Sequence, residues 1–131
     1  ENVSYCVFCT PEYGRLLRER TGDRLHYTLD VKQAARSGFD PLRYVEAVGE
    51  RIVNVHLCDY ERLPNGRLRW RMPGQGACDL PALAAALRAR GYAGPAFVEV
   101  YSDMYGGVQE LYDSLAVCRA RLSPSPDGIA R

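Results

Sequence analysis

The stretch "IVNVHLCDY", residues 52–60, decides the fold. Ile52, Val53 and Val55 are apolar and β-branched, so it opens as a buried strand. It then presents His56 and Asp59. Side chains alternate along a strand, which puts Val53, Val55 and Leu57 on one face and Asn54, His56 and Cys58 on the other. Two further stretches follow the same pattern. In 24–31, Leu25, Tyr27 and Leu29 oppose His26, Thr28 and Asp30; in 95–101, Val98 and Val100 oppose Phe97, Glu99 and Tyr101. Each strand has an aliphatic face suited to packing under helices and a second face that turns polar toward its C-terminal end.

Helix signals fill the intervals. Thr10 as cap and Pro11 at the first position start a helix that runs to Arg20. Asp40, Pro41 and Gly49 frame a helix over 40–50, and Asp79 and Gly91 frame one over 79–91. The spacing of Leu111, Leu115, Val117 and Cys118 predicts a helix over 108–122. Residues 60–79, rich in Arg, Pro and Gly, read as a long loop, and "SPSPDGIAR" (123–131) as a disordered tail. Strands alternating with single helices imply βαβ units and a parallel sheet. A doubly wound open sheet would need strands apolar on both faces. A sheet interior that becomes polar at the C-terminal strand ends belongs instead to a closed barrel, whose active sites lie there. The expected fold class is therefore α/β, as part of a (β/α)8 barrel. Asp30, His56 and Glu99 end one strand each and should converge. Two carboxylates and an imidazole suit a divalent ion such as Mn, Mg, Co or Zn.

Composition narrows the function. The 131 residues are 47% hydrophobic and 25% charged, which predicts a globular chain. A formal net charge of +1 gives no electrostatic case for nucleic acid or an anionic membrane. No apolar run approaches the roughly 20 residues that span a bilayer. Five cysteines, at 6, 9, 58, 78 and 118, are odd in number and scattered, so reduced thiols in a cytoplasmic setting are expected rather than a disulfide framework. Cys6 and Cys9 have zinc-knuckle spacing, but no second such pair follows. The first residue is Glu1, which fits a processed product or a fragment.

Several short motifs together resemble the C-terminal half of the xylose isomerase-like barrels, the sugar phosphate isomerase/epimerase superfamily. They are Glu1-Asn2, Leu29-Asp30, Val55-His56-Leu57-Cys58-Asp59, Pro73-Gly74-Gln75-Gly76, Gly91-Tyr92-Ala93-Gly94 and Glu99-Val100. The resemblance runs from residue 1 to about residue 120. It implies a partial barrel over 1–122, from the end of strand five to the final helix. It adds Glu1 to the ligands, giving a metal set of Glu1, Asp30, His56 and Glu99. It implies proton transfer through an enediolate, with Glu1 and Glu99 as the catalytic carboxylates. The implied function is a divalent-metal-dependent sugar or sugar phosphate isomerase or epimerase. A dehydratase or aldolase on the same barrel is the alternative, as is a non-catalytic barrel fragment. Many relatives read Asp-x-x-His where this chain has Asp30-Val31-Lys32-Gln33. Lys32 and Gln33 therefore become candidate substrate contacts, together with Arg71 in the loop "LRWRMPG". With only His26 and His56 in the chain, a trinuclear zinc site for DNA cleavage is not expected. Barrels of this kind take roughly 250 residues. The N-terminal half of the barrel, or a further copy of the chain, is thus the expected partner.

Overall fold

The computed structural model describes residues 1–123. Helix α1 spans Pro11–Thr21 and α3 spans Pro41–Val48; each has proline in its first turn and a capping side chain, Thr10 and Asp40, that accepts a backbone N–H. Helix α4 covers Leu80–Ala89, capped by Asp79, and α5 covers Val108–Leu122. Strands β1 (Tyr27–Asp30), β2 (Ile52–Leu57) and β5 (Ala96–Val98) form one sheet in the order β1-β2-β5, and both pairings are parallel. The strands are shorter than the stretches 24–31, 52–58 and 95–101 in which the sequence places them. The ladder nevertheless continues to Glu99, whose N–H donates to the Leu57 carbonyl at 2.8 Å.

Two elements differ from the sequence expectation. A helix α2, Val31–Arg36, begins directly after β1, because the Asp30 carboxylate caps it by accepting from Gln33 N–H at 2.8 Å. Residues 60–79 are not one loop: β3 (Asp59–Arg62) and β4 (Leu68–Arg71) form an antiparallel hairpin. The overlooked signal is Asn65-Gly66, a pair that favours tight hairpins. Gly66 adopts φ 79°, a conformation in which a Cβ is strained, and Asn65 Oδ1 accepts from Arg67 N–H.

Helices α1, α3, α4 and α5 pack in succession along one side of the sheet. The core lies between the two layers. Tyr27, Leu29, Val55 and Leu57 meet Tyr44, Val45 and Val48 of α3, Leu80, Leu83 and Leu87 of α4, and Cys118 of α5. Each large aliphatic side chain removed from water there contributes about 1.5–3 kcal/mol. One expected core position is corrected: Val53 is 48% exposed, while Ile52 is buried. The pairing steps from Tyr27↔Ile52 to Thr28↔Asn54, which leaves Val53 as an unpaired extra residue. That bulge reverses side-chain parity upstream of Asn54. From Asn54 onward the expected alternation holds, and His56 lies opposite the aliphatic layer. Leu25 also falls outside the core, because the strand starts only at Tyr27. The tail expected over 123–131 lies outside the described residues except for Ser123, which caps α5.

Candidate metal centre

Parallel pairing sets Asp30 directly beside His56 at the C-terminal end of the sheet, with Glu99 one step beyond β5. Glu1, Asp30 and His56 each offer a ligand atom, and these atoms all lie within 4.8 Å of one another. Asp30 Oδ2 stands 3.8 Å from His56 Nδ1. Glu99 lies outside that triad but touches it: one carboxylate oxygen contacts His56 Nδ1, and the other is 3.2 Å from Lys32 Nζ.

Asn2 holds the two ends of the triad together. It is fully buried, its side-chain Nδ2 donates to the Asp30 carbonyl at 2.9 Å, and its Oδ1 accepts from Asp30 N–H at 2.6 Å. A single amide thus makes both bonds that a neighbouring strand would make. The sequence reading quotes Asn2 only as part of a motif and assigns it no task.

Lys32 is 3% exposed, which excludes the solvated loop lysine that its position suggests. Its ammonium lies 3.9 Å from Asp30 Oδ2 and 4.5 Å from the centre of the Tyr101 ring. Burial by itself would lower the Lys32 pKa; Asp30 and Glu99 outweigh it and leave it raised. Burial pushes the Asp30 carboxyl up, against the Gln33 N–H and Lys32, and Glu99 and Glu1 push the same way.

The donor set fits a divalent ion. Among the described residues, buried Asp30 Oδ2 has no hydrogen-bond partner, and buried His56 Nδ1 faces only carboxylates, those of Asp30 and Glu99. Asn54 Oδ1 is likewise buried without a partner among the described residues, and the Asn54 amide lies 3.0 Å from His56 Nε2. A half turn of that amide lets Oδ1 accept from Nε2–H, which satisfies Asn54 and leaves a lone pair on Nδ1. That tautomer is the one a metal-binding imidazole needs.

The remaining candidates separate. Gln33 is buried at the third position of α2, with Oε1 unpartnered. Arg71 is engaged by Glu61 across the hairpin, at 2.7 Å from Nη2 and 3.2 Å from Nε. Asp59 is fully buried and accepts from the N–H groups of Tyr60, Gly74, Gly76 and Cys78 at 2.8–3.0 Å, so it anchors a loop. A Cβ on Gly76 would collide with the Asp59 carboxylate and the Tyr60 carbonyl, which explains glycine there. The five cysteines are free; burial pushes the Cys58 thiol up to about 11 and the Cys78 thiol to about 12.

This fold and this cluster define a class, the xylose isomerase-like TIM barrel, whose family model matches residues 1–121. The chain belongs to that family. It is 32% identical over 105 residues to an uncharacterized protein of Mycobacterium leprae, covering 77% of this chain and 37% of that protein. It is also 32% identical over 93 residues to a 3-dehydroshikimate dehydratase of Pseudomonas aeruginosa, covering 67% of this chain and 15% of the enzyme. Among solved structures, a crystal structure of the IolI protein with a bound zinc atom superposes with a TM-score of 0.66 at 25% identity. That match covers 86% of this chain and 45% of IolI. The chain thus spans less than half the length of these relatives. Among the described residues, no helix is long and apolar enough to cross a membrane.

Proposed function

We propose that this chain carries the metal centre of a divalent-metal-dependent enzyme that moves a proton next to a carbonyl, through an enediolate, on a sugar or sugar phosphate. Isomerisation or epimerisation is the outcome we favour. The observation that carries it is the convergence of Glu1, Asp30 and His56, with buried Asp30 Oδ2 left without a hydrogen-bond partner among the described residues and His56 Nδ1 turned toward carboxylates. The family and the zinc-bearing IolI structure support the metal. Glu1, Asp30, His56 and Glu99 would hold it, as Mn, Mg, Co or Zn. Bound there, the ion supplies Lewis-acid polarisation of adjacent substrate oxygens, which acidifies the intervening C–H.

The chain's own groups do the rest. Glu1 and Glu99 act as the proton-transferring carboxylates. Lys32, from the buried side of the cluster, keeps Glu99 oriented and offers an N–H to a developing oxyanion. Gln33 Oε1 accepts from a substrate hydroxyl. Arg71 would join the substrate only by exchanging its bond with Glu61. We place the barrel segment at 1–122 and take the remaining βα units to come from an N-terminal half or a further copy. The free cysteines support a cytoplasmic setting.

The likeness to a dehydratase favours a second reading, in which the same enediolate expels a β-hydroxyl. Incubating the Mn2+-loaded full-length protein with candidate ketoses in deuterated water separates the two. Deuterium incorporated at carbon without loss of water supports isomerisation; loss of water supports dehydration. His56→Ala and Glu99→Gln should each abolish the incorporation while the circular dichroism spectrum stays unchanged. Exchange at full rate in Glu99→Gln would remove Glu99 from proton transfer.

A further inference from the structure

Charge is distributed around this cluster in two zones. At the centre, the carboxylates of Glu1, Asp30 and Glu99 face one ammonium, that of Lys32. The excess is two negative charges, which a divalent ion cancels. The outer zone has the opposite sign. Arg69 and Arg71 share a single carboxylate, that of Glu61. Among the described residues, no carboxylate pairs with Arg36.

Arg36 is held in place all the same. Its Nη2 donates to the Tyr101 hydroxyl at 3.1 Å, and its guanidinium lies 5.3 Å from the centre of the Trp70 ring. The opposite neighbour of Tyr101 is Lys32, whose ammonium sits over the same ring. A continuous path therefore runs from Glu99 through Lys32 and Tyr101 to Arg36 and Trp70. Lys32 and Arg36 are four residues apart on α2, which sets Arg36 one turn, about 6 Å, further from the ligands. That is about the reach of a short sugar chain. Aromatic contacts fix the guanidinium without neutralising it, so its planar donors stay available to a second anion.

We propose that Arg36, braced by Tyr101 and Trp70, receives an anionic tail of the substrate, a phosphate or a carboxylate. The substrate is then a hydroxy-carbonyl compound, negatively charged at the end remote from the reacting carbons. This rests on the metal-dependent function proposed above. Tyr101 and Trp70 are positioning residues, and Arg36 makes the contact. The tail supplies binding energy away from the reacting carbons and aligns the carbonyl end with the ligands.

The test is calorimetric titration of the Mn2+-loaded full-length protein with three ligands. D-Ribulose is the neutral form; D-ribulose 5-phosphate and 5-keto-D-gluconate carry a phosphate and a carboxylate. At least one anionic ligand should bind about tenfold or more tightly than D-ribulose, the return expected of one charge-assisted contact. The ligand that gains identifies the anion. Arg36→Ala should remove this advantage and leave D-ribulose affinity within about twofold, which also reports that the site is folded. Arg36→Lys should restore part of it, and Tyr101→Phe should lose part of it. An advantage that persists in Arg36→Ala, or no advantage in the unmodified protein, overturns the proposal. If Mn2+ fails to bind, the metal-dependent function falls instead. The anionic ligands are then titrated without metal, and weaker binding to Arg36→Ala than to the unmodified protein supports the Arg36 contact, while equal binding rejects it.

Discussion

Asn2 is fully buried beside an exposed Glu1, and both hydrogen bonds of its amide go to the Asp30 backbone. Replacing it with Ala leaves that N–H and carbonyl unpaired in the interior, at a cost of roughly 2–4 kcal/mol. Asn2→Ala in the full-length protein is expected to lower the thermal midpoint and to weaken Mn2+ binding as well. A lower midpoint with unchanged Mn2+ affinity would limit Asn2 to a structural role. Asn54 is expected to act on His56 rather than on the fold. In Asn54→Leu the imidazole loses the acceptor that selects its tautomer. Nitrogen NMR shifts of His56 should move toward the other tautomer, and Mn2+ affinity should fall; unchanged shifts would count against this role. At this scale Asp30, His56 and Glu99 were legible, because strand alternation alone assigns them to one face. Arg36 and Tyr101 were not read as partners, because they lie 65 positions apart and meet only through the parallel crossover.

Among the elements, the β3–β4 hairpin offers a sensitive readout because it carries Trp70, the single tryptophan of the chain. The hydrogen bonds from Arg71, next in the strand, hold the Glu61 carboxyl below its ordinary value of 4.5. A carboxyl with a lowered folded-state value stabilises the fold above its unfolded value and loses that contribution as pH falls through the folded value. Trp70 fluorescence should therefore be flat above about pH 4.5 and shift below it. The shift should vanish in Glu61→Gln, which has no carboxyl to titrate. A midpoint unchanged in that variant would assign the transition elsewhere. The hairpin and α2 escaped the sequence reading for different reasons. Strand β3 has only Tyr60 among charged residues, so the apolar alternation of Leu68 and Trp70 in β4 finds no matching partner pattern, although Asn65-Gly66 marks the turn. Helix α2 has six residues, too few to show a period, and its cap is the same Asp30 that looks like a strand end. The longer helices α1, α3, α4 and α5 were legible from their caps, prolines and apolar spacing.

The whole molecule has one finished side. Helices cover the aliphatic face of the sheet, whereas among the described residues β1 and β5 each have a single strand neighbour. Val53 and Phe97 are 48% and 53% exposed on the strands themselves. Unpaired strand edges with apolar residues beside them favour association. Residues 1–131 expressed alone should therefore be oligomeric, aggregated or molten, and catalytically silent. Size-exclusion chromatography with near-UV circular dichroism checks this. A monodisperse monomer with a sharp melting transition would show that the segment is self-sufficient. The parallel barrel-type sheet was legible from three strands with one aliphatic face each; the bulge at Val53 was not, since nothing in an apolar run marks its unpaired residue. The Asp59 carboxylate, finally, has a consequence for how such a chain can diverge. It gathers the backbone N–H groups of Gly74, Gly76 and Cys78, so the path of that loop is written in main-chain atoms and not in side chains. Gln75 and Ala77, both exposed, can then drift in sequence while the path stays fixed, and descendants of one ancestor can re-dress this loop without relearning how to fold.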